Sequence, residues 1–126
     1  MRGMTGSIVL GAGFLLQPLT GPLAAGLPTK VGQCAETRVA KLESRLVGAP
    51  DSGSAISYVN GGYQVSYDMI PGIQGSRRGD PVRLCLISIP SGCPPGDTRG
   101  RKYRATNLRT GQSWEAPDAE HMCGGA

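Results

Sequence analysis

The chain is 126 residues long, 39% hydrophobic and only 5% aromatic, with 20 glycines, 10 prolines and a net charge of +4. That length holds one domain, and such an aromatic-poor composition gives a thin core of modest stability rather than a large buried interior. No GxSxG, CxxC or Gly-rich phosphate loop occurs, so hydrolase, zinc and nucleotide signatures are missing from the outset.

The first 25 residues read as a cleavable signal peptide. Arg2 is the positive start, residues 8–16 (IVLGAGFLL) are the apolar stretch, and the small-residue run LAAG at 23–26 suits a peptidase, with cleavage after Ala25 or Gly26. Nine residues fall well short of the roughly 20 that span a bilayer, and Pro18, Gly21 and Pro22 stop a longer helix. Cys34 is a poor lipidation site, because Gln33 stands where a small residue is expected. The expected location is the periplasm or the exterior, with no transmembrane segment in the mature chain.

Residues 26–126 then form one small β domain with a net charge of +3, Arg2 being the cation lost. Without Phe14 its aromatics are Tyr58, Tyr63, Tyr67, Tyr103 and Trp114. Export turns the four cysteines, Cys34, Cys85, Cys93 and Cys123, into expected disulfides. The favoured pairing is Cys34 to Cys85 and Cys93 to Cys123, with Cys85 to Cys93 and Cys34 to Cys123 as the alternative.

In chain order, residues 34–46 keep both helical and strand-like spacing and are read as a long strand leading into a loop over residues 48–53. Residues 54–67 form a hairpin around Asn60-Gly61-Gly62. Two registers are open, pairing Tyr58 with Tyr63 or with Val65, and both place Gln64 on the polar outer face with Ser57 and Ser66. Residues 82–89, VRLCLISI, are apolar on both faces as a central strand requires, and residues 91–100 are a Gly-Pro loop. A second hairpin spans residues 102–116 around Arg109-Thr110-Gly111. The expected fold is an all-β antiparallel barrel or sandwich of about five to seven strands, stapled by disulfides.

Three patterns carry chemistry. Arg99, Arg101, Lys102, Arg104 and Arg109, together with the aromatics Tyr58 and Tyr63, form a candidate binding surface for an anionic envelope polymer or lipid, or for an extracellular protein; export argues against nucleic acid. Asp118, Glu120 and His121 are a candidate acid-base cluster beside Cys123, although an oxidised Cys123 supplies neither a nucleophile nor a metal ligand, and no cofactor or metal is expected. Arg78-Gly79-Asp80 matches an integrin-binding tripeptide, but it also serves as the turn before a strand.

The segments GDPVRLCLISIP, CPPGD, YRATNLRTGQSW and PDAEHMCGG resemble a group of small exported Gram-negative bacterial proteins of uncharacterised function. That resemblance implies a periplasmic or secreted location and assigns no catalytic residue. Size, disulfides and strand count also resemble periplasmic lysozyme inhibitors at the level of architecture, without an inhibitory motif. The sequence therefore points to a non-enzymatic envelope-binding module, with a hydrolase inhibitor and a small enzyme as alternatives.

Overall fold

The computed structural model describes residues 26–125; the expected leader, residues 1–25, lies outside the described residues. The alternating pattern of the chain becomes six strands and one helical turn: β1 (Cys34–Leu46), β2 (Ala49–Tyr58), β3 (Tyr63–Ser66), α1 (Pro71–Gln74), β4 (Pro81–Ser88), β5 (Lys102–Asn107) and β6 (Ser113–Pro117). All neighbours are antiparallel, in the order β3-β2-β1-β4-β5-β6. The fold is all-β, as the composition predicts, and no backbone ladder closes the sheet into a barrel.

β1 organises the whole. Its first residues, Cys34 to Arg38, pair with β4, whereas from Val39 onward it pairs with β2, and a register shift between Val39 and Lys41 lies where the partner changes. Such an irregularity bends a strand. The two halves of the sheet enclose one cluster built from Val39, Ile56, Tyr58, Ile73, Val82, Leu84, Leu86, Tyr103, Ala105 and Trp114. β4 is central as expected, sending Val82, Leu84 and Leu86 inward and leaving Arg83, Cys85 and Ile87 partly exposed on the outer face.

Three local expectations are corrected. Residues 49–53 are not a loop: a two-residue turn at Val47-Gly48 joins β1 directly to β2. Residues 71–74 form a helical turn that the sequence reading missed; Pro71 starts it, and Ile73 drops into the core. Gly72 packs so closely that a Cβ there would overlap the indole of Trp114.

The third correction is the register of the β2–β3 hairpin. Its loop is Val59-Asn60-Gly61, with Gly61 at φ 93°, and the strands pair as Ser57 with Tyr63 and Ile56 with Gln64. This is the three-residue loop with a left-handed glycine rather than a two-residue turn. A shift of one residue exchanges the faces of β3. Gln64 therefore points inward and is fully buried, while Tyr63 lies half-buried on the other side.

Gln64 is fully satisfied inside the core. Its Nε2 donates to the carbonyls of Tyr103 (2.8 Å) and Ala116 (3.2 Å), and its Oε1 accepts from the Tyr58 hydroxyl (2.6 Å) and Trp114 Nε1 (3.0 Å). A primary amide can make about four such bonds, and all are used here. The side chain bridges β3 to β5 and β6, where no ladder connects them. Burial raises the pKa of the Tyr58 hydroxyl, which stays protonated as a donor.

Two disulfides cross-link the fold in the favoured pairing. Cys34 and Cys85 are directly opposite on β1 and β4, with Cα atoms 4.0 Å apart, and Cys93 joins Cys123 across a Cα separation of 5.3 Å. The second pair ties the 89–101 loop to the C-terminal segment.

Candidate functional site

The basic stretch of β5 alternates with the pleat. Tyr103, Ala105 and Asn107 are buried, and Lys102 and Arg104 stand exposed on the outer face. Arg104 meets Glu115 on the neighbouring strand, its Nε 2.9 Å from the carboxylate. Arg99 is held by Asp97 at 2.9 Å and by the carbonyl of Gly125, and Arg109 turns back onto Asp80 at 2.7 Å. Arg101 is half-exposed. The five cations thus do not form one free surface, because three of them already meet carboxylates. Tyr58 is 3% exposed and belongs to the core, and Tyr63 is half-buried near Glu120 and Glu43.

The acid-base candidates are not assembled either. Asp118 accepts a bond from the backbone N–H of Gly100 at 2.8 Å, Glu120 pairs with Arg45 at 2.8 Å, and His121 is exposed. Among the described residues, no three His, Cys, Asp or Glu side chains are grouped to hold a metal ion.

Asp80 anchors a buried polar cluster instead of an adhesion tripeptide. Its carboxylate accepts bonds from Arg109, from Asn107 Nδ2 and from the backbone N–H of Arg77. Asn107 in turn bonds Ser76 Oγ, which donates to the carbonyl of Gly72. With Asp80 5% exposed, it is not offered to a receptor. The hydrogen bonds from Arg109 hold the Asp80 carboxyl well below the usual carboxylate range, and Arg99 does the same for Asp97.

Since the folded pKa of Asp80 lies below its unfolded value near 3.9, its contribution to stability is complete above about pH 5 and is lost as pH falls through the folded value. We expect the wild type to lose stability steadily below about pH 4, and Asp80→Asn to flatten that limb while leaving a residual slope from Asp97. Urea unfolding across the acid range checks this, and an unchanged slope in the variant would remove Asp80 from the account.

Half of the cations have no carboxylate partner. Among the described residues, Lys41, Arg45, Arg83, Arg99, Arg104 and Arg109 each lie within 4 Å of a carboxylate, and Lys30, Arg38, Arg77, Arg78, Arg101 and Lys102 do not. Three of these, Arg38, Arg77 and Arg78, come from β1 and the turn before β4 that meets it: Arg38 donates to the carbonyl of Gly79 (2.9 Å), and Arg78 and Lys41 line one depression of about 420 Å³. Asp51 and Asp68, the exposed carboxylates without a cation among the described residues, lie elsewhere, on β2 and just beyond β3.

The ends of two further loops reach the same pole. Val59, in the β2–β3 loop, and Leu108, after β5, line a depression of about 320 Å³ with Arg38 and Pro81. Their backbones are fixed there, the N–H of Val59 on the Arg38 carbonyl and that of Leu108 on the Pro81 carbonyl. Val59 is 65% and Leu108 48% exposed. The Arg77-Arg78 pair is visible in the sequence as a dipeptide, but its approach to Arg38, through the bond from Arg38 to the Gly79 carbonyl, is created only by the pairing of β1 with β4.

A different element dominates the opposite reach of β1. The Val47-Gly48 turn carries Val47 at 95% exposure and is braced by the N–H of Leu46 on Ser52 Oγ and by Arg45 Nε on the Ser52 carbonyl. Arg45 also pairs with Glu120 and stacks 4.1 Å above the ring of Tyr67. Compared with known proteins, the chain matches no family model, no curated protein and no solved structure.

Proposed function

We propose that the protein is an exported, non-enzymatic binding module of the bacterial envelope that contacts an anionic envelope component. The observation that carries this reading is a group of three cations without carboxylate partners, Arg38, Arg77 and Arg78, at one pole, with the unpaired Asp51 and Asp68 away from it. Its two disulfides suit an oxidising compartment, and no helix among the described residues is long and apolar enough to cross a membrane.

The chemistry asked of such a module is modest: a rigid frame that holds cations clear of internal carboxylates so that an anion meets them without reorganisation. Affinity capture from envelope extract with the oxidised protein tests it. The expected result is an anionic partner retained at low salt and released as the screening length falls below about 8 Å; salt-independent retention, or none, refutes it.

A hydrolase inhibitor is the second reading, favoured by the braced, exposed Val47 turn. A rigid apolar tip enters a cleft at little entropic cost. Loss of lysozyme activity on adding a stoichiometric amount of the protein would support it over the first reading.

A further inference from the structure

We infer that the pole formed by Arg38, Arg77, Arg78, Val59 and Leu108 docks on a bilayer surface, with the arginines on anionic lipid phosphates and the two aliphatic side chains at the headgroup boundary. This inference rests on the envelope-binding reading and gives it a surface and a partner.

Three features favour lipid over a soluble polyanion. The cations come from a strand and a turn of the sheet, so their backbones are fixed relative to one another, and the Arg38 side chain donates to the Gly79 carbonyl. The aliphatic residues sit at the loop ends, with Val59 65% and Leu108 48% exposed, and they share a depression with Arg38. A soluble polyanion gains nothing from exposed Val59 and Leu108, whereas a bilayer boundary takes up aliphatic groups beside cations. Glu36 is the one carboxylate lining that depression, and Arg83 pairs with it at 3.4 Å, so little negative charge opposes the approach.

The remainder of the surface is less suited. On β5, Arg104 is neutralised by Glu115, which leaves two cations, Lys102 and half-exposed Arg101, against the three arginines of the pole. The Val47 tip is apolar, but the exposed, unpaired Asp51 on β2 and Asp68 beyond β3 would be repelled by anionic headgroups.

The test is co-sedimentation with phosphatidylcholine vesicles, with or without phosphatidylglycerol, using the full gene product recovered oxidised from its expression host. Wild type should partition onto the mixed vesicles and not onto pure phosphatidylcholine. The Arg77→Gln/Arg78→Gln variant should bind about thirtyfold more weakly. Val59→Ser/Leu108→Ser should weaken vesicle binding by about tenfold at unchanged charge, with inorganic polyphosphate binding unaffected. Arg101→Gln/Lys102→Gln should bind as wild type.

Equal loss of polyphosphate and vesicle binding in Val59→Ser/Leu108→Ser, or no loss of either, would overturn the lipid assignment. Loss in Arg101→Gln/Lys102→Gln with retention in Arg77→Gln/Arg78→Gln would move the surface to β5, ending this inference while the envelope-binding reading stands. If neither vesicles nor any anion from envelope extract is bound, both fall.

Discussion

Replacing Gln64 with Leu should destabilise the protein by about 3–6 kcal/mol, although the two side chains are close in size and Leu is the more apolar. The change removes four hydrogen bonds at once and leaves the Tyr58 hydroxyl and Trp114 Nε1 as buried donors without an acceptor. Each buried group stranded this way costs about 1–3 kcal/mol, and small domains have only about 5–15 kcal/mol in total. Tyr58→Phe, which takes away one donor and leaves Gln64 otherwise satisfied, should cost about 1 kcal/mol. Equilibrium urea unfolding followed by the fluorescence of the single tryptophan, Trp114, measures both. A Leu variant as stable as wild type would show that the amide is not what joins β3 to β5 and β6.

Removal of the disulfides has the other large expected effect. In the loop-entropy model, a bridge spanning 51 residues stabilises by about 4 kcal/mol and one spanning 30 by about 3.6 kcal/mol. The two bridges nonetheless differ in what their loss does to the native state. Cys34 and Cys85 lie on strands already paired through Cys34 to Arg38, so Cys34→Ser/Cys85→Ser should keep its native contacts and unfold at lower denaturant. Cys93→Ser/Cys123→Ser should lose a similar free energy and also loosen residues 121–125, whose remaining ties are the bonds from Cys123 N–H to Arg99, from Gly124 N–H to Asp97 and from Arg99 to the Gly125 carbonyl. Urea midpoints report the stability of each variant. Amide exchange of the C-terminal segment separates them, and equal protection in both variants would falsify the distinction.

The parts of the fold that could be read in advance are those fixed by local pattern. The apolar run of β4 admits one role, the four cysteines pair as favoured, and the strand-like stretches between glycines and prolines leave no room for long helices. The β2–β3 hairpin shows where such reading stops. Asn60, Gly61 and Gly62 all tolerate turn geometry, so two-residue and three-residue loops compete, and the choice decides whether Gln64 is a surface or a core residue. Only its four partners, drawn from β2, β5 and β6, make burial of the amide favourable, and none of them is near in sequence except Tyr58.

The candidate surface illustrates the same limit. A run of cations along one strand looks like a patch, yet Glu115, Asp80 and Asp97 meet three of them once the strands pair. Of the cations left free, Arg38 and Arg77-Arg78 are separated by 39 or more residues in the chain and brought together at the turn before β4. Sequence shows charge; the pairing of strands decides which charges remain for a partner.

β3 and β6 are the two ends of an open sheet, and an unpaired strand edge is a template on which another chain can add a strand and begin to aggregate. Here the sheet curls until those two edges face each other, and the Gln64 amide occupies the carbonyl of Ala116 that an incoming strand would seek. Each exposed edge is thereby the other's cover. For a chain that folds among other unfolded chains, that mutual cover limits the time during which a stray strand can add to either end.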